Sequence, residues 1–129
     1  MATVMSAPQT FEMKDKIERN VHLFARTDTL SIMEHVWEVG SGEVELHTHH
    51  LSDAGWLVTK GEVTFFDENN EVIAKLGKDQ GVFIPRGVKY SFANSGNEPL
   101  VMFRASSRVA PLQPGQLDRD PPLPYSPGV

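Results

Sequence analysis

The sequence predicts an all-β domain, a barrel or sandwich of short strands with a double-sheet jelly roll among the leading arrangements. Three observations carry that prediction. Apolar and polar residues alternate with a period of two over short stretches. Turn residues separate those stretches at close intervals. Between them no stretch reads as a helix.

Residues 1–20 are polar, mixed in charge and weakly patterned, and Phe11–Arg19 reads as a short helix or an extended arm. The pattern changes near Val21. Leu30–Val39 alternates, with Met33, His35, Trp37 and Val39 on one face and Glu34, Val36 and Glu38 on the other, as a half-buried strand requires. Gly40-Ser41-Gly42 is a turn, and Glu43–His49 is the next candidate strand. Gly55–Thr59 is rich in large apolar residues, and Gly61 marks a turn or bulge at its end. Val63–Phe66 and Glu71–Leu76 flank the turn Asp67-Glu68-Asn69-Asn70 and form a hairpin. After the turn Gly77-Lys78-Asp79, a strand over Gly81–Ile84 is stopped by Pro85. Val88–Ala93 follows, then the turn Asn94-Ser95-Gly96-Asn97, then Pro99–Ala105. The total is about eight strands.

The end of the chain differs. Six of the nine prolines lie between Pro111 and Pro127, and little there builds a core. The chain divides into an N-terminal arm over 1–20, a barrel over 21–107 and a proline-rich C-terminal arm over 108–129. That last arm is ordered only where it packs on the barrel or on a neighbouring subunit.

A length of 129 residues suits one domain, and 40% hydrophobic with 22% charged residues excludes a compositionally disordered chain. Twelve basic against seventeen acidic residues give a net charge of −5, which disfavours nucleic acid and anionic membrane as partners. No apolar run approaches the ~20 residues of a membrane span, and Met1–Thr10 lacks the pattern of a secretory signal. The chain has no cysteine, which removes disulfides, thiolate metal sites and thiol nucleophiles together. A cytoplasmic location is the expectation.

The chemistry concentrates in His47-Thr48-His49-His50. On a strand, residues two apart share a side, so His47 and His49 direct their imidazoles the same way and His50 points away. Two neutral imidazoles with a carboxylate and a third histidine suit Fe, Mn, Ni, Zn or Cu. The plainer alternative is a solvated polar turn.

The segment Gly42–Phe65, GEVELHTHHLSDAGWLVTKGEVTF, resembles the first motif of the cupin superfamily. The segment Leu76–Asn94, LGKDQGVFIPRGVKYSFAN, resembles the second. His47, His49, Gly61, Pro85, Gly87 and Asn94 fall in register without a gap inside either motif, and the resemblance covers roughly Leu30–Arg104. It implies a cupin double-stranded β-helix, a jelly-roll barrel. It also implies a four-ligand metal site at His47, His49, Ala54 and Tyr90, where only the two histidines keep the family's residue type. Asp79 also departs from the usual glycine. Asp53 lies next to Ala54, but strand alternation turns it to the opposite face.

The resemblance implies a site inside the barrel. By alternation its lining includes His47, His49, Trp56, Val58, Tyr90 and Phe92, joined by His35 and Trp37. For Trp37, Trp56, Phe65, Phe83 and Phe92 the competing reading is plain core. A histidine facing a tyrosine is an acid–base pair: the imidazole takes a proton from carbon next to a carbonyl, and Tyr90 donates to the enolate oxygen. Metal-independent epimerases of this superfamily supply the precedent. The leading expectation is therefore a small-molecule enzyme performing isomerisation, epimerisation or cyclisation next to a carbonyl, with no cofactor. His47, His49 and Tyr90 are its catalytic residues, and His35, Trp37, Trp56, Val58 and Phe92 its substrate-binding residues. One alternative is a metal-dependent dioxygenase-like oxidoreductase holding Fe, Mn, Ni, Cu or Zn through His47 and His49. The other is a non-catalytic ligand-binding barrel. The resemblance, with the need to cover sheet edges, also implies a homodimer.

Overall fold

The computed structural model describes residues 8, 10–12 and 20–122. Most of the stretch expected as a short helix or arm, and the last residues of the proline-rich arm, lie outside the described residues. Ten strands and no helix occur among the described residues. Among the described residues no helix is long and apolar enough to cross a membrane.

The strands are β1 (Val21–Arg26), β2 (Leu30–Trp37), β3 (His47–His49), β4 (Ser52–Lys60), β5 (Val63–Phe66), β6 (Val72–Leu76), β7 (Gly81–Ile84), β8 (Lys89–Asn94), β9 (Leu100–Arg108) and β10 (Arg119–Asp120). They form two five-stranded sheets, ordered β1-β2-β9-β4-β7 and β10-β3-β8-β5-β6, with every pairing antiparallel. Consecutive strands repeatedly cross from one sheet to the other, which is the double-sheet jelly roll that the alternation predicts.

The core lies between the sheets. Trp56, Val58, Val63, Phe65, Tyr90, Phe92, Leu100 and Met102 are all buried there. Each large apolar side chain so buried contributes roughly 1.5–3 kcal/mol. Most come from alternate positions: Ala54, Trp56 and Val58 on β4, Tyr90 and Phe92 on β8, Leu100 and Met102 on β9. Gly61 ends β4 with φ of 86°, and a Cβ there would stand 2.9 Å from the Pro99 carbonyl oxygen. Only glycine meets both demands. Asn94 ties the bottom of the barrel, donating to the carbonyls of Trp37 and Glu98 while accepting from the Gly96 N–H.

Three expectations need correction. The strand expected over Glu43–His49 is limited to His47–His49. Upstream of it the chain approaches β8 through isolated bonds, such as Phe92 N–H to the Glu43 carbonyl at 3.0 Å. Phe83 is not core: it is 62% exposed, because Val82 and Ile84 take the inward positions of β7. The strand expected over Pro99–Ala105 runs on to Arg108, so that Ser106 is buried on it as well as Arg104.

Candidate functional site

The site grows from β3, a strand of three residues held on both sides. Its pairing with β8 sets His47 opposite Tyr90, and the two ring centroids lie 4.3 Å apart. Its other edge pairs with β10, His49 opposite Arg119. The Pro85-Arg86-Gly87 turn fixes its end. Gly87 has φ of 82° and donates its N–H to the His49 carbonyl at 2.7 Å. The left-handed conformation favours glycine there, so one motif residue positions another.

Both ring nitrogens of His47 face oxygens. Its Nδ1 donates to the Glu45 carbonyl at 2.8 Å, since a carbonyl only accepts. Its Nε2 faces Glu43 Oε1 at 3.1 Å, within ion-pair reach but not aligned as a hydrogen bond. Burial pushes the Glu43 carboxyl up, but the contact with His47 and the nearby His35 outweigh burial and hold it down at about 2. His35 is 2% exposed, and burial lowers it to about 4 against the opposing pull of Glu43. Trp37 Nε1–H donates to His35 Nδ1 at 3.2 Å, which leaves the ring proton on Nε2. That Nε2–H is buried without an acceptor.

His49 is arranged differently. Its Nδ1 lies 3.5 Å from Asp118 Oδ2. Asp118 also accepts from the Leu51 N–H at 2.7 Å and from the Ser52 hydroxyl. Burial raises the Asp118 carboxyl, but the bonds from His49, Ser52 and Leu51 hold it well below the usual range. Burial lowers His49 to about 4, with Asp118 pulling the other way. The imidazole is therefore neutral near pH 7. With Nδ1–H directed at a carboxylate, Nε2 carries the free lone pair.

Tyr90 and Arg104 complete the interior. Tyr90 is 1% exposed, and burial raises its phenol well above the ordinary range, with the Arg104 guanidinium beside it pulling the other way. The hydroxyl thus stays protonated, and it has no acceptor. Arg104, 3% exposed, lies over the Trp56 ring at 5.5 Å from its centroid. Its Nη1 contacts only the weak acceptor Met33 Sδ, at 4.0 Å, and its Nε and Nη2 have no partner. An unmet buried donor costs about 1–3 kcal/mol, so this cluster opposes stability.

The structure brings most of the predicted residues together. His35, His47, Trp56, Val58, Tyr90 and Phe92 are buried inside the barrel, with Trp37 and His49 half-buried beside them. Ring contacts link His35 to Trp56 at 4.7 Å and to Phe92 at 6.0 Å. His50 turns outward, its side chain 52% exposed, and Asp53 faces away to accept the Arg86 N–H. The implied metal set does not fit. Ala54 supplies no donor, Tyr90 is a phenol that burial keeps protonated, and His47 Nε2 is turned on Glu43. Among the described residues no three His, Asp or Glu side chains are grouped to hold an ion.

Three further polar residues belong to the site. Arg104 had a legible signal: on β9 it shares parity with Leu100 and Met102, which makes it a charge on an inward face. Glu43 lies ahead of β3, outside any strand, so alternation gives no signal for it. Asp118 had no local signal, because it reaches His49 only by tertiary folding of the proline-rich arm.

A family model described as a cupin domain matches residues 33–105. No curated protein matches the chain. Solved structures do. An RmlC-like cupin family protein with a double-stranded β-helix fold from Methanocaldococcus jannaschii is 22% identical, with a TM-score of 0.66, over 78% of this chain and 91% of that one. An uncharacterised protein with a double-stranded β-helix domain from Klebsiella pneumoniae is 20% identical, with a TM-score of 0.62, over 68% and 71%. A proposed sugar phosphate isomerase from Acidithiobacillus ferrooxidans is 26% identical, with a TM-score of 0.55, over 63% of this chain and 51% of that protein.

Proposed function

This chain belongs to the cupin domain family, and from that fold we propose that it is a small-molecule enzyme moving a proton next to a carbonyl without a metal. The observation that carries the proposal is His49. It is a neutral imidazole whose Nδ1–H side is held by a buried carboxylate, in the same interior as Tyr90, a protonated phenol without an acceptor.

The roles follow from the atoms. His49 Nε2 takes the proton from the carbon beside the carbonyl. Asp118 keeps Nδ1 protonated and stabilises the imidazolium that forms. Tyr90 donates its hydroxyl hydrogen bond to the oxygen on which negative charge develops. Delivery of a proton to the same carbon from the opposite face by Tyr90, with solvent restoring the phenol and taking the proton from His49, gives an epimer; return of the proton from His49 to the neighbouring centre gives an isomer. His47 is the less suitable base, because its Nε2 is turned on Glu43. The similarity to a proposed sugar phosphate isomerase agrees with this class of reaction.

The test is solvent exchange. Wild-type protein in deuterated water, offered a panel of small oxo compounds, incorporates deuterium next to the carbonyl above background. His49→Ala loses this, and Tyr90→Phe slows it roughly a hundredfold. No exchange with any compound in the panel would sink the reading. Elemental analysis of purified protein tests metal independence. Near-stoichiometric Fe, Mn, Ni, Cu or Zn, lost on His47→Ala, would overturn that part.

A further inference from the structure

The interior of the barrel holds an unusual surplus of donors. Arg104 Nε and Nη2, Trp56 Nε1, His35 Nε2 and the Tyr90 hydroxyl are all buried and all without an acceptor. Each of these side chains is at most 3% exposed. They come from three strands of one sheet and one strand of the other, yet they meet: Arg104 stands over Trp56, His35 packs on Trp56, and Tyr90 lies beside Arg104. Buried polar groups are nearly always satisfied in a functioning protein, so a set composed of donors calls for an occupant composed of acceptors.

The chemistry of the occupant can be narrowed. Nε and Nη2 form the side edge of a guanidinium, two parallel N–H groups spaced to receive both oxygens of one carboxylate. Tyr90 interacts with the same guanidinium, and its hydroxyl has one hydrogen bond to donate. A carboxylate on Arg104 therefore places a neighbouring carbonyl oxygen at Tyr90. We propose that the barrel binds a small 2-oxo carboxylate, with its carboxylate on the Nε–Nη2 edge of Arg104 and its keto oxygen on the Tyr90 hydroxyl.

This assignment rests on the acid–base reading of the same site and names its substrate class. The carbon activated by His49 is then the one beyond the keto group. Glu43 turns its carboxylate onto His47, where the imidazole offsets its charge. Phosphate fits less well: as a dianion it is repelled by the nearby Glu43 carboxylate more strongly than a single carboxylate is.

Binding is read by tryptophan fluorescence and by calorimetry, with pyruvate, pyruvamide and inorganic phosphate as probes. Pyruvate is expected to bind saturably, and pyruvamide at least tenfold more weakly. Arg104→Met should weaken pyruvate tenfold or more and pyruvamide by a smaller factor, with Arg104→Lys in between for pyruvate because it keeps the charge but loses the paired edge. Circular dichroism checks that both variants fold. Equal binding of the amide, no saturable pyruvate binding, phosphate binding as tightly as pyruvate, or unchanged pyruvate affinity in Arg104→Met overturns the assignment. The deuterium-exchange experiment separates the two claims. Arg104-dependent pyruvate binding without exchange leaves the anchor standing and sinks the catalytic reading. Exchange into oxo compounds that lack a carboxylate, unaffected by Arg104→Met, does the reverse.

Discussion

Asp118 Oδ2 stands 3.5 Å from His49 Nδ1, so a residue of the proline-rich arm supplies the carboxylate behind the proposed base. The arm reaches that position because β10 adds to the free edge of β3, and the His50 N–H donates to the Asp118 carbonyl at 2.9 Å. Pairing an exposed strand edge and delivering a side chain are one event here.

Replacing Asp118 with Asn removes the negative charge while keeping an acceptor for the Leu51 N–H. Proton exchange into substrate falls roughly tenfold to a hundredfold, since the imidazolium loses its stabilising carboxylate. Stability falls by about 1–3 kcal/mol, because the Ser52 hydroxyl and His49 face an amide instead. Urea unfolding and the exchange assay report the two effects separately.

Ending the chain before Asp118 removes β10 and exposes the edge of β3. Amide hydrogen exchange at His50 and Leu51 accelerates strongly, since their acceptors on Asp118 are gone. Amides of β9, between β2 and β4 in the other sheet, remain protected. Uniform loss of protection would instead mean that the arm is needed for the whole fold.

Acid weakens the fold in two stages. His35 and His49 have folded pKa values of about 4, below the ordinary 6.5, so the unfolded chain binds their protons first. Stability therefore drops as pH falls from 6.5 toward 4, by on the order of 2–3 kcal/mol per imidazole. Glu43 and Asp118 are also depressed, so their contribution is present above the ordinary carboxylate range and is lost only further down. Unfolding measured at intervals between pH 7 and 4.5 isolates the histidine stage. His35→Gln flattens it, and an unchanged slope in that variant contradicts the assignment.

Removing the unmet donors does not weaken the protein. Arg104→Met replaces a buried guanidinium with unmet N–H groups by an apolar side chain, and Tyr90→Phe deletes a hydroxyl that has no acceptor. Both variants hold or raise the melting temperature while losing function, as expected where a site is maintained against stability. A large fall in Tm for Tyr90→Phe would mean that its hydroxyl is structural.

Gly61→Ala is destabilising by roughly 1–3 kcal/mol, from the left-handed backbone and from crowding against the Pro99 carbonyl. Thermal melts read this as a fall of several degrees. Ligand binding at saturating concentration is unaffected, because Gly61 lies at the end of β4 and touches no site residue.

Much of the site was legible because strand alternation converts residue number into direction. His47 and His49, two apart, both face the interior, and Trp56 with Val58, or Tyr90 with Phe92, do the same. Phe83 shows the limit of reading residue type alone: its parity on β7 is outward, whatever its hydrophobicity. Arg104 shows the converse, a charge turned inward by parity. Glu43 lies in a loop, where no period holds.

By itself the sequence determined the all-β class, the turn positions and the inward rows of side chains, since these depend on local backbone preference and a two-residue period. Only the tertiary structure decided which imidazole has a carboxylate behind it, and that Arg104 and Tyr90 share one interior without acceptors. Those facts depend on which strands become neighbours across the barrel, and a separation along the chain carries no information about that.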